Sequence, residues 1–187
     1  MLANLLEAAA PINPALERRG LARALREAIE AEFAGQFDRL EWRVDQELEA
    51  SAPEEFTPIA AEVVYYAVVE AVRNAASHGR GSERDRRLGL VVTLRLGHGL
   101  WAIVEDDGVG LLLSRLLHVS PEAARRPPAE PAPTPAIGGR GLLFHSTMLA
   151  VLGGYLSVLS RPHGGCRVEI WLPESALRYP SRAAAGA

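Results

Sequence analysis

The sequence predicts an α/β (α+β) two-layer sandwich, with helices packed on one face of a mixed, mainly antiparallel sheet. Three observations point that way. Pro58 to about His78 carries the cap and apolar spacing of one long helix. Leu88–Leu96 with Leu100–Glu105, and Tyr155–Ser160 with Arg167–Leu172, are apolar runs joined pairwise by glycine-containing turns, the pattern of antiparallel hairpins. A glycine turn also opens a third helical stretch, Leu142–Leu152. The placement of the helices on one face comes from the order of motifs described below.

In chain order, residues 1–12 are short and apolar. Asn13-Pro14 is a helix start, and Leu16, Leu21, Leu25, Ala28, Ile29 and Phe33 form a helical stripe to about Phe33. Glu41 to Leu48 alternates, with Trp42, Val44 and Gln46 on one side, and predicts a strand. Ser51 to Phe56 is a linker. Thr57-Pro58 supplies an N-cap followed by proline at the first helical position, and Gly79 to Gly81 ends that helix. Gly97-His98-Gly99 joins the first hairpin, and Asp106 to Gly110 is a glycine turn. Residues 111–120 predict a short helix. Residues 121–135 hold six of the thirteen prolines and cannot be regular; a loop this long in a compact domain is functional or disordered. Pro162 to Gly165 turns the last hairpin, and the tail is expected to be disordered.

Composition removes several chemistries. All twenty Lys+Arg residues are arginine. Without lysine there is no P-loop lysine for the phosphates, no protein-kinase strand lysine and no Schiff-base catalysis. A net charge of −3 offers no electrostatic case for nucleic acid or an anionic membrane. The lone Cys166 excludes an internal disulfide and a multi-cysteine zinc site. Gly141 to Ser160 has no Asp, Glu or Arg, but Gly153-Gly154 reads as a break between two buried elements rather than as mid-span. No signal peptide is visible. A cytoplasmic chain without direct membrane contact is expected.

Three motifs carry chemistry. On the long helix, Glu62, Tyr66, Glu70, Asn74 and His78 recur every fourth residue; each step drifts about 40°, so neighbours share a face. Alone, that stripe is also what a solvated helix face looks like. The sharper reading aims Glu70 and Asn74 into a site. An amide oxygen suits magnesium, and a carboxylate beside it can orient or deprotonate a nucleophile. Asp106-Asp107-Gly108-Val109-Gly110 follows a buried strand; it is either an Asx-capped turn or a carboxylate at a strand end with glycines admitting a planar ligand. Gly138-Gly139-Arg140-Gly141-Leu142 opens a helix, where free N–H groups and the helix dipole favour phosphate; otherwise it is a flexible exit from the proline-rich loop.

Taken in order, Glu-x-x-x-Asn, Asp-x-Gly-x-Gly, a long loop and Gly-x-Gly-Leu resemble the N, G1 and G2 boxes of the gyrase, heat-shock chaperone, histidine-kinase and mismatch-repair ATPase superfamily. Glu70-Ala71-Val72-Arg73-Asn74-Ala75-Ala76-Ser77-His78, the ungapped run Gly139–Gly154, and the hairpin from Ser160 through Gly164-Gly165 to Leu172-Pro173 are most similar to the catalytic domain of nitrate- and lipid-sensing-type sensor histidine kinases. Gly20-Leu21-x-x-Ala24-Leu25 resembles the segment preceding it. The likeness spans roughly residues 20 to 173.

The resemblance implies an ATP-binding domain at 36–175 with a mobile ATP lid at 111–138. It also implies an N-terminal helical segment at 1–35, including the stub of a dimerisation helix through which the chain could self-associate, and a disordered tail at 176–187. Asp106 would accept from the adenine amino group, and Asn74 would hold Mg2+. Glu70 would polarise the attacking group, with His78 near the phosphates. Gly108 and Gly110 would shape the adenine pocket. Gly139 and Gly141, with Arg140 and Leu142 in the same box, would present backbone N–H groups to the phosphates. Ser77 stands where the family has lysine, so one phosphate contact is either lost or moved to Arg73 or Arg140. Cys166 stands where threonine is usual, a weaker hydrogen-bonding group at the adenine.

None of His78, His98, His118, His145 and His163 has the helical context of a phospho-acceptor. His98 and His163 read as turn residues, and His145 as packed. The implied activity is transfer of the γ-phosphoryl of Mg-ATP to a histidine on another domain or chain, with a response regulator as onward partner. Two other readings are a stand-alone anti-sigma-type protein-serine kinase and a degenerate nucleotide-binding module without turnover.

Overall fold

A computed structural model describes residues 13–83, 85–110 and 140–178. The short helix expected at 111–120, the lid at 111–138, residues 1–12 and the tail beyond 178 lie outside the described residues.

The described residues open with α1 (Pro14–Arg19) and α2 (Leu21–Glu32). Asn13 caps α1, its side chain accepting from the Ala15 N–H, and Pro14 sits at the first helical position. The single helix expected to Phe33 is thus two. Gly20 adopts φ 74° between them, a conformation that glycine reaches without strain. Leu21, Ala22, Ala24, Leu25 and Ile29 form the buried face of α2.

Strand β1 covers Arg39–Val44 and is followed by α3, Gln46–Ala50. The strand expected at 41–48 therefore ends early. Asp45 stops it: its N–H donates to Leu94 O at 3.0 Å and its carboxylate accepts from Leu96 N–H at 2.9 Å. The backbone then turns helical, which buries Leu48 and leaves Gln46 exposed. A single 3-10 turn, Pro53–Glu55, interrupts the linker.

Helix α4 runs Pro58–His78 as the sequence predicts, with Thr57 Oγ1 accepting from Ala60 N–H. It is followed by β2 (Gly89–Gly97), β3 (Gly99–Asp106), α5 (Arg140–Val151), β4 (Tyr155–Ser160), β5 (Cys166–Pro173) and a short α6 (Glu174–Leu177). The last lies partly in what the sequence assigns to the tail. Leu177 is buried there, and Thr57 bonds back to the carbonyls of Ala176 and Leu177, so the ordered part extends past 175.

Among the described residues the sheet has five strands, in the order β1-β2-β3-β5-β4. Only β1–β2 is parallel; the other three pairings are antiparallel. Period-two alternation puts Leu90, Val92 and Leu94, then Leu100, Ala102 and Val104, then Val168, Ile170 and Leu172 into one core with α4. The buried residues of α1 and α2 belong to the same core cluster, so the segment expected at 1–35 packs with the sheet wherever it is described. The opposite face carries Trp101, Trp171 and Tyr155 in mutual ring contact and charged residues such as Arg167 and Glu169. No helix among the described residues is long and apolar enough to cross a membrane.

Leu25 is completely buried. Leu25→Ala should lower unfolding free energy by about 2–5 kcal/mol, measured by urea denaturation, with one cooperative transition reporting both α2 and the sheet.

Candidate functional site

The alternation that builds the core also aims the first site residue. Leu100, Ala102 and Val104 point inward, and the next inward position is Asp106, the one buried charged residue among those described. Its Oδ1 accepts two backbone N–H groups, from Gly108 at 2.9 Å and Cys166 at 3.3 Å. No hydrogen bond to Oδ2 occurs among the described residues, so that oxygen remains an acceptor for a ligand. Burial raises the Asp106 pKa, partly offset by those two N–H donors.

The turn after Asp106 is clamped on two sides by backbone. Val109 N–H donates to Gly79 O at 2.8 Å. A Cβ on Gly108 would collide with the Gly79 backbone. On the other side Gly164 and Gly165, at φ 92° and 91°, let the β4–β5 turn lie on Asp106, where a Cβ on Gly165 would meet the Asp106 carbonyl. Gly110 has φ 77° and faces Gly165 O. Arg161 donates to the Asp106 carbonyl at 2.7 Å. Asp107 turns the other way, its carboxylate taking the Gly89 N–H at 2.6 Å. Asp107 therefore fixes the turn to β2, while Asp106 is left for a ligand.

Beyond Gly79, the C-terminal half of α4 carries the second group. The Asn74 amide donates to the Glu70 carbonyl at 2.8 Å and to Glu70 Oε1 at 3.3 Å. That fixes the amide with both described bonds on its nitrogen, so the oxygen, the hard donor that magnesium prefers, has no hydrogen bond among the described residues. No group of three or more His, Cys, Asp or Glu able to hold a metal occurs among the described residues. The donor set fits a cation completed by ligand oxygens rather than a protein cage. Glu62, in the same stripe, serves structure instead: its carboxylate takes the Asn13 N–H at 2.7 Å. His78 and Ser77 are exposed at the helix end.

Glu70 is the meeting point of three helices. Its Oε2 pairs with Arg73 at 2.9 Å, and Arg73 also reaches Glu32 at the end of α2, at 2.8 Å. Gly141, in the first turn of α5, lies so close that a Cβ there would collide with Glu70 Oε1. Arg73, one of two arginines the sequence offers to phosphate, is thus committed to two carboxylates. Leu142 is buried in the core, so only its backbone could face a ligand. Gly139 and the Arg140 side chain lie outside the described residues. His145, one turn past Gly141, is half-buried, and burial lowers its pKa.

Sequence reasoning missed Arg161, Asp107 as the turn's anchor, Glu32 and the neighbourhood of His145. Only Asp107 had a local signal, the Asx-turn composition. A groove lined by Leu16, Leu21, Pro53, Phe56, Pro58 and Ala61, together with Glu17 and Glu54, lies near the other end of α4, about 25 Å along the helix from His78.

No protein-family model matches the chain, and no curated protein matches it. Solved structures do. The histidine kinase domain of the blue-light activated histidine kinase EL346 from Erythrobacter litoralis matches with TM-score 0.57 at 20% identity, over 91% of this chain and 67% of that one. A longer chain of the same blue-light activated kinase matches with TM-score 0.59 at 19% identity, over 83% of this chain and 42% of that one; the present chain spans under half of it. The chain therefore shares the fold of that solved histidine kinase domain.

Cys166 sits at the start of β5 beside Asp106, and burial followed by that neighbouring carboxylate pushes its thiol up to about 11. At pH 8 its thiolate fraction should be about a hundredfold or more below that of a free cysteine. Alkylation by iodoacetamide should be correspondingly slow in the native protein and become fast on unfolding, as followed by mass spectrometry.

Proposed function

We propose that this chain is an ATP-binding catalytic unit of a two-component sensor histidine kinase, transferring the γ-phosphoryl of Mg-ATP to a histidine on another domain or chain, with a response regulator downstream. The observation that carries the reading is the Asp106 carboxylate. One of its oxygens accepts two backbone N–H groups, the other has no protein partner among the described residues, and glycines crowd the surrounding turn. That combination suits a planar base bearing an exocyclic amino donor.

The remaining roles follow from chemistry. Asp106 Oδ2 accepts from the adenine amino group. Gly108 and Gly110 leave room for the base. The first turn of α5 presents N–H groups toward the phosphates. Asn74, through its amide oxygen, would hold a magnesium ion that supplies neutralisation of phosphate charge. Glu70 polarises the attacking group. Phosphoryl transfer needs positioning and charge stabilisation more than covalent chemistry from the protein. The closest subtype, by motif, is the nitrate- and lipid-sensing group. A second reading, nucleotide binding without turnover, draws on Ser77, which is exposed and uncharged where the family has lysine.

Calorimetric titration with Mg-ADP and a non-hydrolysable ATP analogue tests the pocket. Asp106→Ala should abolish measurable binding, and Asn74→Ala should mainly remove the magnesium dependence. Unchanged affinity in Asp106→Ala would sink this assignment.

Acid should weaken binding through the same residue. Two N–H donors occupy Oδ1, so a proton on Asp106 goes to Oδ2 and turns the acceptor into a donor facing an amino group. Because the native pKa is raised, adenine-nucleotide affinity should fall with a midpoint above the ordinary aspartate value of about 3.9. The sign for stability is the reverse: the native state takes up the proton more readily than the unfolded chain, so this group's contribution declines as pH rises from the unfolded to the native pKa. Affinity measured between pH 4 and 7 on still-folded protein checks the ligand effect.

A further inference from the structure

We propose that Arg73 is a positioning residue for the Glu70 carboxylate, and that through Glu32 it makes the orientation of that carboxylate depend on how α2 is seated. The inference rests on the reading of Glu70 given under the proposed function.

The geometry divides the carboxylate between two holders. Glu70 Oε1 takes the Asn74 amide at 3.3 Å, and Oε2 takes Arg73 at 2.9 Å. A glutamate side chain has three rotatable bonds, and its terminal torsion is broad and only two-fold. One bond to each oxygen fixes that torsion; loss of either frees it. The backbone also makes room for the fixed position, since Gly141 is the residue whose missing Cβ lets the carboxylate lie against α5.

Arg73 is held in turn. Its second terminal nitrogen reaches Glu32 at 2.8 Å, 41 residues away on the last turn of α2. The guanidinium fork offers several donors in a rigid plane, so one side chain bridges two carboxylates on two helices. Glu32 is seated by the buried Leu25 and Ile29 of the same helix. A shift of α2 along α4 would therefore move Glu32, then Arg73, then the carboxylate. Arg73 and Glu32 are each about half exposed, and exposed ion pairs add little stability. What the link supplies is orientation. Orientation errors of about 1 Å at a reacting group cost on the order of a hundredfold in rate.

The test compares wild type, Arg73→Ala, Arg73→Lys and Glu32→Gln in the full chain, with two readouts. One is Mg-ATP affinity by calorimetry; the other is hydrolysis at saturating Mg-ATP, with water taking the γ-phosphoryl group in the absence of an acceptor histidine. Arg73→Ala should lower the saturated rate by roughly tenfold to a hundredfold while affinity stays within about twofold of wild type, a margin well inside one factor of ten. Arg73→Lys, which keeps the charge and loses the fork, should recover part of the rate. Glu32→Gln should lower the rate in the same sense by a smaller factor. Loss of affinity in Arg73→Ala in proportion to rate would make Arg73 a phosphate ligand and overturn the inference. An unchanged rate would overturn it too, leaving a surface ion pair. Wild type that binds Mg-ATP but hydrolyses none also overturns it, since Glu70 then activates no water. Wild type that fails to bind Mg-ATP overturns the proposed function itself, a different failure.

Discussion

The site depends on one carboxylate oxygen receiving two backbone N–H groups. Gly108 and Cys166 both donate to Asp106 Oδ1, and they belong to different parts of the chain. Gly108 is in the turn leaving β3; Cys166 begins β5. Their convergence is set by the antiparallel register that places Glu105 opposite Arg167. A one-residue slip of that register would reverse the side of every residue on the strand and remove the second donor. The pocket is therefore a product of strand pairing rather than of loop shape. Burying the carboxylate raises its pKa, and the two N–H bonds limit that rise. Asp106 stays an oriented acceptor instead of swinging toward water.

Helix α4 brings the other half of the site into the same frame. Its buried face packs on β3 and β5, and its end meets the turn after Asp106 backbone to backbone, Gly79 against Gly108. No side chain stands between helix and turn, so no rotamer can loosen the junction. Asn74 and Glu70 sit one and two turns back from that junction, and their spacing from the turn is fixed by helix rise alone. The arrangement makes α4 both the wall of the core and the carrier of the second group.

Most of this frame can be read from the sequence because it rests on local signals. Thr57-Pro58 and Gly79 set both ends of α4, since cap chemistry acts over a few residues. The hairpins announce themselves by alternation and glycine turns. The two misreadings have local causes as well. Trp42, Val44 and Gln46 continue a period of two past the point where Asp45 bonds back to β2 and ends the strand. A helical stripe running across Gly20 hides a left-handed residue, because periodicity does not report φ. In the site, motif spacing marks Glu70, Asn74 and Asp106. It cannot mark Arg161, which reaches Asp106 from 55 residues away, or Glu32, which reaches Arg73 from 41 residues away. Those contacts exist only after the layers have packed.

The absence of lysine takes on a different meaning in this frame. At the level of composition it removes mechanisms that need an ammonium group. In the structure it bears on how basic residues are used. Arg73 spans Glu70 and Glu32 with two nitrogens of one rigid plane, a task that a single ammonium at the end of a flexible chain performs poorly. An arginine so engaged is not free to reach a phosphate without releasing both carboxylates, and Ser77, one turn further along α4, is exposed and neutral. On the proposed reading, phosphate charge would then be left to a magnesium ion held by Asn74 and to the N–H groups at the start of α5. On the same proposed reading, the arginine withheld from the phosphates is the one that orients Glu70.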